Sequence, residues 1–315
     1  MESDPATNNA APESRISPPR SADILVGGFT ELSSSVSPNP APSIVPPALA
    51  VPKSSEGGSV LPPPVADSSF PLRRFTTARI ALGRAGASWR TQTLLNFRLA
   101  HAQARDAVAK AFDPDLVEQP LRVAGWETVR LTTAATSREE FLRRPDLGRE
   151  LSAPSRQLLT DHFARWANRD LVVLVSDGLS SLATETQAVP TLLALLPLLV
   201  KEGWTLSPVF IVPFARVKLQ DELGVLLRAR HALALLGERP GLGSPDSLGA
   251  YFTYRPGPEK TDADRNCVSN IRVPGLPPTQ AAAKLAWLLQ QSADQCCSGV
   301  LLKVDPPATI LRIAP

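Results

Sequence analysis

Residues suited to metal binding, redox chemistry or covalent catalysis are scarce. The 315 residues include three histidines, three cysteines, two tyrosines and one methionine. His101, His162 and His231 are far apart and fall in no ligand-spaced cluster, which argues against a zinc site. No local motif supports a Cys/His or Ser/His nucleophile pair. Cys267, Cys296 and Cys297 are odd in number and include one adjacent pair, so they form no disulfide framework. The longest apolar run, in VPTLLALLPLLV, is too short to span a bilayer and holds two prolines. The first residues carry acids and prolines where a leader would be basic and then apolar. The expectation is a cytoplasmic chain with no membrane partner. No Lys/Arg block accompanies an aromatic platform, so nucleic acid is not an expected partner either.

Proline, by contrast, is abundant and unevenly placed. Residues 1–71 hold 14 of the 32 prolines. Stretches such as SPNPAPSIVPP and LPPPV propagate neither helix nor central strand. Residues 1–72 therefore read as a disordered Pro/Ser/Ala-rich arm. Charge divides at the same place: the first 71 residues carry −4 and the remainder +7. A basic body can attract phosphates or an acidic partner, although Arg as a mere surface residue explains the same number.

Residues 73–168 read as a mainly helical module. FTTARIAL reads as a short strand or extended entry at its start. Thr91–Phe112 reads as a helix with Leu94, Leu95, Phe97, Leu99, Ala102 and Val108 on one broad face. Ser137 and Glu140 fit a capping box, and that helix should stop near Arg144, before Pro145. Ser155–Trp166 is a further short helix. The pattern changes at Asp170. Leu171–Val175, Val209–Phe214 and Ala232–Leu236 read as buried parallel strands, and Tyr251–Tyr254 as a fourth strand. Helices at Thr186–Glu202, Leu219–Arg230 and Pro278–Asp294 alternate with them. Residues 169–315 thus form an α/β domain with an open, Rossmann-like parallel sheet.

In such sheets ligands bind beyond the carboxyl ends of the strands. Three loops lie there. Ser176-Asp177-Gly178-Leu179-Ser180 could accept hydrogen bonds from a ligand or simply turn the chain into a helix. Arg216 and Lys218 in Phe214–Lys218 could meet an anion or be solvated. GERPGLG, Gly237–Gly243, is neither GxGxxG nor GxxxxGK[ST], so a nucleotide is weakly supported. Its glycines permit positive φ and close backbone approach. Glu238 could accept hydrogen bonds from an amide-rich ligand or pair with Arg239 or Arg265. In Asp264–Asn270, Cys267 could pack on a flat ligand or be structural.

Seven segments in order resemble one family: TTARIALGRAG, LAHAQARDAV, RPDLGRELS, VSDGLSS, ARVKLQDELG, LGERPGLGSPDSLGAY and ADRNCVSNIR. The chain resembles the small subunit (light chain) of ethanolamine ammonia-lyase. The likeness spans roughly Phe75 to Asp294. It implies a radical lyase that converts ethanolamine to acetaldehyde and ammonia with adenosylcobalamin. In that family the cobalt–carbon bond breaks homolytically, the adenosyl radical takes hydrogen from substrate, and the amino group migrates before ammonia leaves. The large subunit, a TIM barrel, holds the substrate and the catalytic groups. Cobalamin lies between the subunits. By motif, Val217, Glu238 and Cys267 become cofactor contacts, and no catalytic or metal-binding residue is assigned to this chain. No Asp-x-His-x-x-Gly motif occurs, consistent with a cofactor that keeps its own base on cobalt. Ala215 stands where the family often has glycine. Some members enter a bacterial microcompartment through an N-terminal segment that this arm does not resemble. Two other readings stay open: a stand-alone nucleotide-binding Rossmann-type enzyme, and a non-catalytic scaffold for an acidic partner.

Overall fold

A computed structural model describes residues 78–80 and 82–303. The expected arm (residues 1–72) lies outside the described residues. So does half of the expected strand or extended entry at 75–82; its described residues, 78–80 and 82, have no regular secondary structure.

The sheet is organised by three apolar strands. β4 (Leu171–Ser176) and β6 (His231–Gly237) are buried along their whole length, and β5 (Leu206–Ile211) is buried at every residue but its first. Side chains alternate between two cores, as the pleat requires. Leu171, Val173 and Val175 join one core, and Val172 and Leu174 the other. Helix α6 (Ser181–Lys201) links β4 to β5 on the first face, and α7 (Leu219–Leu226) links β5 to β6 on the second. β4 pairs in parallel with both β5 and β6. The chain therefore steps from β4 to one side and then back across it to the other. This is a doubly wound arrangement with its switch point between β4 and β6.

The full six-strand order is β3-β5-β4-β6-β7-β8. β3 (Thr128–Arg130) comes from the segment read as mainly helical, yet it pairs in parallel with β5 as the sheet's edge. β7 (Leu248–Tyr254) and β8 (Arg265–Ile271) run antiparallel, in contrast to the parallel centre. Their connections contain no crossover helix, so each strand returns along its neighbour.

Two short strands, β1 (Arg84–Ala85) and β2 (Ser88–Trp89), form a separate hairpin before α1 (Thr91–Ala109). The expected apolar face of α1 does not face the core: Ala100 and Ala107 are buried, whereas Leu94, Leu95, Phe97 and Leu99 are exposed. α2 (Asp115–Val123) packs on the first core. α3 (Arg138–Arg143) starts at Ser137, whose hydroxyl accepts from Glu140 N, and ends before Pro145 as expected. The expected helix at 155–166 is two pieces, α4 (Ala153–Asp161) and α5 (Phe163–Trp166). α6 begins earlier than expected because Ser180 caps it, and Pro190 sits inside it. By length and composition alone α6 could cross a membrane, but ten of its residues are buried, several of them in the first core, as in a core helix. α8 (Pro278–Gln295) covers β7 and β8 on that same face.

Candidate functional site

The loops after β4, β5 and β6 meet at the switch point. Asp177, directly after β4, is fully buried. Its carboxylate accepts from Arg138 Nη1 at 2.7 Å, Phe214 N at 2.7 Å and Ser176 Oγ at 3.0 Å. Burial pushes the Asp177 carboxyl up, opposed by the Phe214 N–H and the Arg138 charge. Arg138 also donates to Gly178 O and Val108 O. Ser176 Oγ accepts from Ala215 N at 2.9 Å. Ser176 and Asp177 thus bind the β5 loop to the β4 loop. Their polar capacity is spent inside the chain, as in the turn reading of this segment.

In the β5 loop, Phe214 takes the positive φ (62°), and Ala215 does not. Alanine in place of the family's glycine therefore strains nothing. Arg216 stacks on the Phe141 ring at 4.1 Å and donates to Phe141 O. Lys218 donates to Pro258 O and pairs with Asp221 at 3.2 Å. Both cations are turned back onto the chain. Val217 between them packs partly on the second core. Its carbonyl accepts from Gln220 N, while its N–H has no acceptor among the described residues.

The β6 loop crosses the β4 loop backbone against backbone. A Cβ on Gly237 would lie 2.0 Å from Ser180 O, and one on Gly178 would lie 2.4 Å from Gly237 O. Close approach explains Gly237. Positive φ does not, because among these glycines only Gly178 adopts it. Glu238 continues the register of Ala232, Ala234 and Leu236 on the second-core face. Its Oε2 accepts from Ser247 Oγ at 2.5 Å and Asn270 N at 3.4 Å. Its Oε1 has no donor among the described residues. Neither expected arginine pairing occurs, because Arg265 is held by Asp221 at 2.7 and 2.8 Å. GERPGLG runs into β7 and not into a helix of its own, so the phosphate-loop reading loses its usual support.

Cys267 on β8 lies opposite Tyr251 on β7, which lies opposite Ala234 on β6. All three share the second-core face. α7 covers the centre of that face. Among the described residues no helix lies over the strip along β7 and β8 on this face, and Cys267 is exposed. Crowding around the sulfur and the nearby Glu238 charge push the Cys267 thiol up to about 11, partly offset by a hydrogen bond from Tyr251. Burial, then Cys267 and Glu238, hold the Tyr251 phenol well above its usual range. Glu238, Tyr251 and Cys267 are thus electrostatic neighbours, and Val217 and Tyr251 pack on the same core. Gly249 makes room for both: a Cβ there would sit 2.8 Å from the Tyr251 ring and 2.9 Å from Glu238 Oε1. Sequence reasoning passed over Tyr251, Gly249 and Ser247, although all lie in LGERPGLGSPDSLGAY. Arg138 was visible only as a residue of a helix start.

Fold and site define a doubly wound α/β protein that offers an exposed, polar-edged sheet strip beside its switch point. A profile of the ethanolamine ammonia-lyase light chain (EutC) matches residues 66–303. The ethanolamine ammonia-lyase small subunit of Ralstonia nicotianae is 49% identical over 242 residues, covering 76% of this chain and 90% of the relative. That of Pseudomonas syringae pv. tomato is 51% identical over 242 residues, covering 76% and 84%. That of Azotobacter vinelandii is 50% identical over 233 residues, covering 74% and 86%. The chain belongs to the ethanolamine ammonia-lyase small-subunit family and is a lyase subunit.

Proposed function

We propose that this chain covers one face of adenosylcobalamin, at the interface with a large catalytic subunit that converts ethanolamine to acetaldehyde and ammonia. The observation that carries this reading is the pairing of two unsatisfied groups with an open floor. Glu238 Oε1 and the Val217 N–H lack partners within the described residues, and exposed Cys267 lies on the same sheet face as Glu238. A corrin ring is broad, flat and fringed by amides. The residues fit such a group: Glu238 Oε1 can accept an amide N–H, the Val217 N–H can donate to an amide carbonyl, and the small, exposed Cys267 lets the ring lie close.

When bound, the cofactor supplies a cobalt–carbon bond that breaks homolytically to start radical chemistry. This chain's residues do other work. Glu238 is held by Ser247 Oγ, so its free oxygen is fixed in direction before the ligand arrives. The Arg138–Asp177 link fixes the β5 loop that carries Val217. Together they orient the ring and exclude water from one side. No proton transfer is assigned to the described residues of this chain, and alone it is expected to be inactive.

Glu238→Ala in the assembled complex tests the reading. Loss of a charge-assisted hydrogen bond of about 1.5–3 kcal/mol lowers cobalamin affinity about ten- to a hundredfold. Retained cobalamin is measured by absorbance after gel filtration, and subunit assembly by the elution volume. Equal cobalamin retention in mutant and wild type would contradict the assignment.

A further inference from the structure

The β1–β2 hairpin and the first half of α1 show a second surface. A helix with apolar residues on several sides is normally enclosed. Here Leu95 and Leu99, one turn apart, are 52% and 60% exposed, and on another side Leu94 and Phe97 are 41% and 44% exposed. Trp89, 56% exposed, extends the second group into a cleft of about 290 Å³ lined by Arg79, Leu82, Trp89, Thr93, Leu94 and Phe97. Patches of this kind mark interaction sites.

The surrounding charge has one sign. Between residues 79 and 110 there are six basic side chains and one acid, Asp106. Lys110 pairs with Glu185. Arg79, Arg84, Arg90, Arg98 and Arg105 have no carboxylate partner among the described residues. Two of them lie over aromatic rings, Arg79 over Phe97 and Arg84 over Trp89.

The segment from Arg79 to the end of α1 is tied to the candidate site at both ends. Arg79 Nη2 donates to Leu242 O in the Glu238 loop. Arg138 joins Val108 O, at the far end of α1, to Asp177 and Gly178. We propose that the hairpin and the first half of α1 form the arm by which this chain docks into an apolar, carboxylate-rimmed cleft on the large subunit. The proposal rests on the reading that the large subunit faces the Glu238 strip, because Arg79 ties the segment before the hairpin to the Glu238 loop.

The test uses full-length chain and large subunit without cobalamin, with the dissociation constant read by sedimentation or biolayer interferometry. Leu95→Glu and Leu99→Glu are each expected to raise it at least about tenfold, as for buried apolar anchors. Arg98→Glu should raise it about tenfold and flatten its salt dependence. Val123→Glu, at an 89% exposed site on α2, should stay within about twofold. Circular dichroism melts of the free variants should match wild type, since these side chains are exposed. An unchanged dissociation constant for Leu95→Glu and Leu99→Glu overturns the proposal. So does a wild-type self-dimer that Leu95→Glu dissolves while large-subunit binding persists. The cobalamin reading fails separately: Glu238→Ala tests cofactor retention, and these variants test cofactor-free assembly.

Discussion

Gly237→Ala puts the switch point under direct test. The new methyl would lie 2.0 Å from Ser180 O and 2.6 Å from Asp177 O. Both are backbone atoms, so no side chain can swing away. The β4 and β6 loops must part by about 1 Å to restore ordinary contact. That separation stretches the Leu179 N to Gly237 O bond, now 2.9 Å. Overpacking costs about 1–3 kcal/mol and the weakened bond about 1 kcal/mol more. The sum, about 2–4 kcal/mol, lowers the melting temperature of a domain this size by about 5–15 °C. Thermal unfolding followed by circular dichroism reads it. Gly243→Ala in the same loop is the control: its Cβ would meet nothing within 4 Å and its φ is not positive. Gly237→Ala melting within about 1 °C of wild type, or Gly243→Ala falling equally far, would refute the close-crossing argument.

Three other outcomes follow from buried and half-buried groups. Arg138→Met strands the Asp177 carboxylate and should cost about 3–5 kcal/mol in urea unfolding, with Asp177→Asn in the same chain recovering part of it; no loss would show that the pair is not structural. His231 is buried against Ser292, Trp204 and Tyr254, and its pKa falls to about 4. The unfolded chain therefore takes up this proton first. Stability falls as pH drops from about 6.5 toward 4, by about 2–3 kcal/mol at pH 4.5 relative to pH 7.5. The difference between wild type and His231→Gln isolates that slope, and parallel urea-midpoint curves for the two would contradict it. Cys267, though exposed, should alkylate at pH 8 roughly a hundredfold more slowly than a free cysteine, because its thiol titrates near 11. Mass spectrometry on a Cys296→Ser, Cys297→Ser background measures the rate, and labelling at the free-cysteine rate would refute the crowding described around Tyr251.

Legibility from sequence followed burial. β4 and β6 are buried on both faces, so they read as unbroken apolar runs and were found almost to the residue. β8 buries one face only, with Val268 and Ile271 in the first core and Cys267, Ser269 and Asn270 exposed, so RNCVSNI carries too weak a period to be seen. The exposed polar face that hid the strand is the same face that carries Cys267 in the proposed cofactor site. β3 is three residues long and ends in Arg130, too short for any period. In α1 the apolar spacing was genuine, but periodicity says only that a face is apolar and not that this chain covers it. The roles of Glu238 and Cys267 were ambiguous on residue type alone. They depend on strand register, which places Glu238 beyond Leu236 and Cys267 across from Tyr251, and register is a long-range property.

Acetaldehyde release from ethanolamine in the presence of adenosylcobalamin tests the central claim most directly. It is measured with this chain alone, the cognate large subunit alone and the two together. Activity confined to the mixture is the predicted result. Full activity of the large subunit without this chain, or no activity in a mixture shown to assemble, would contradict the account.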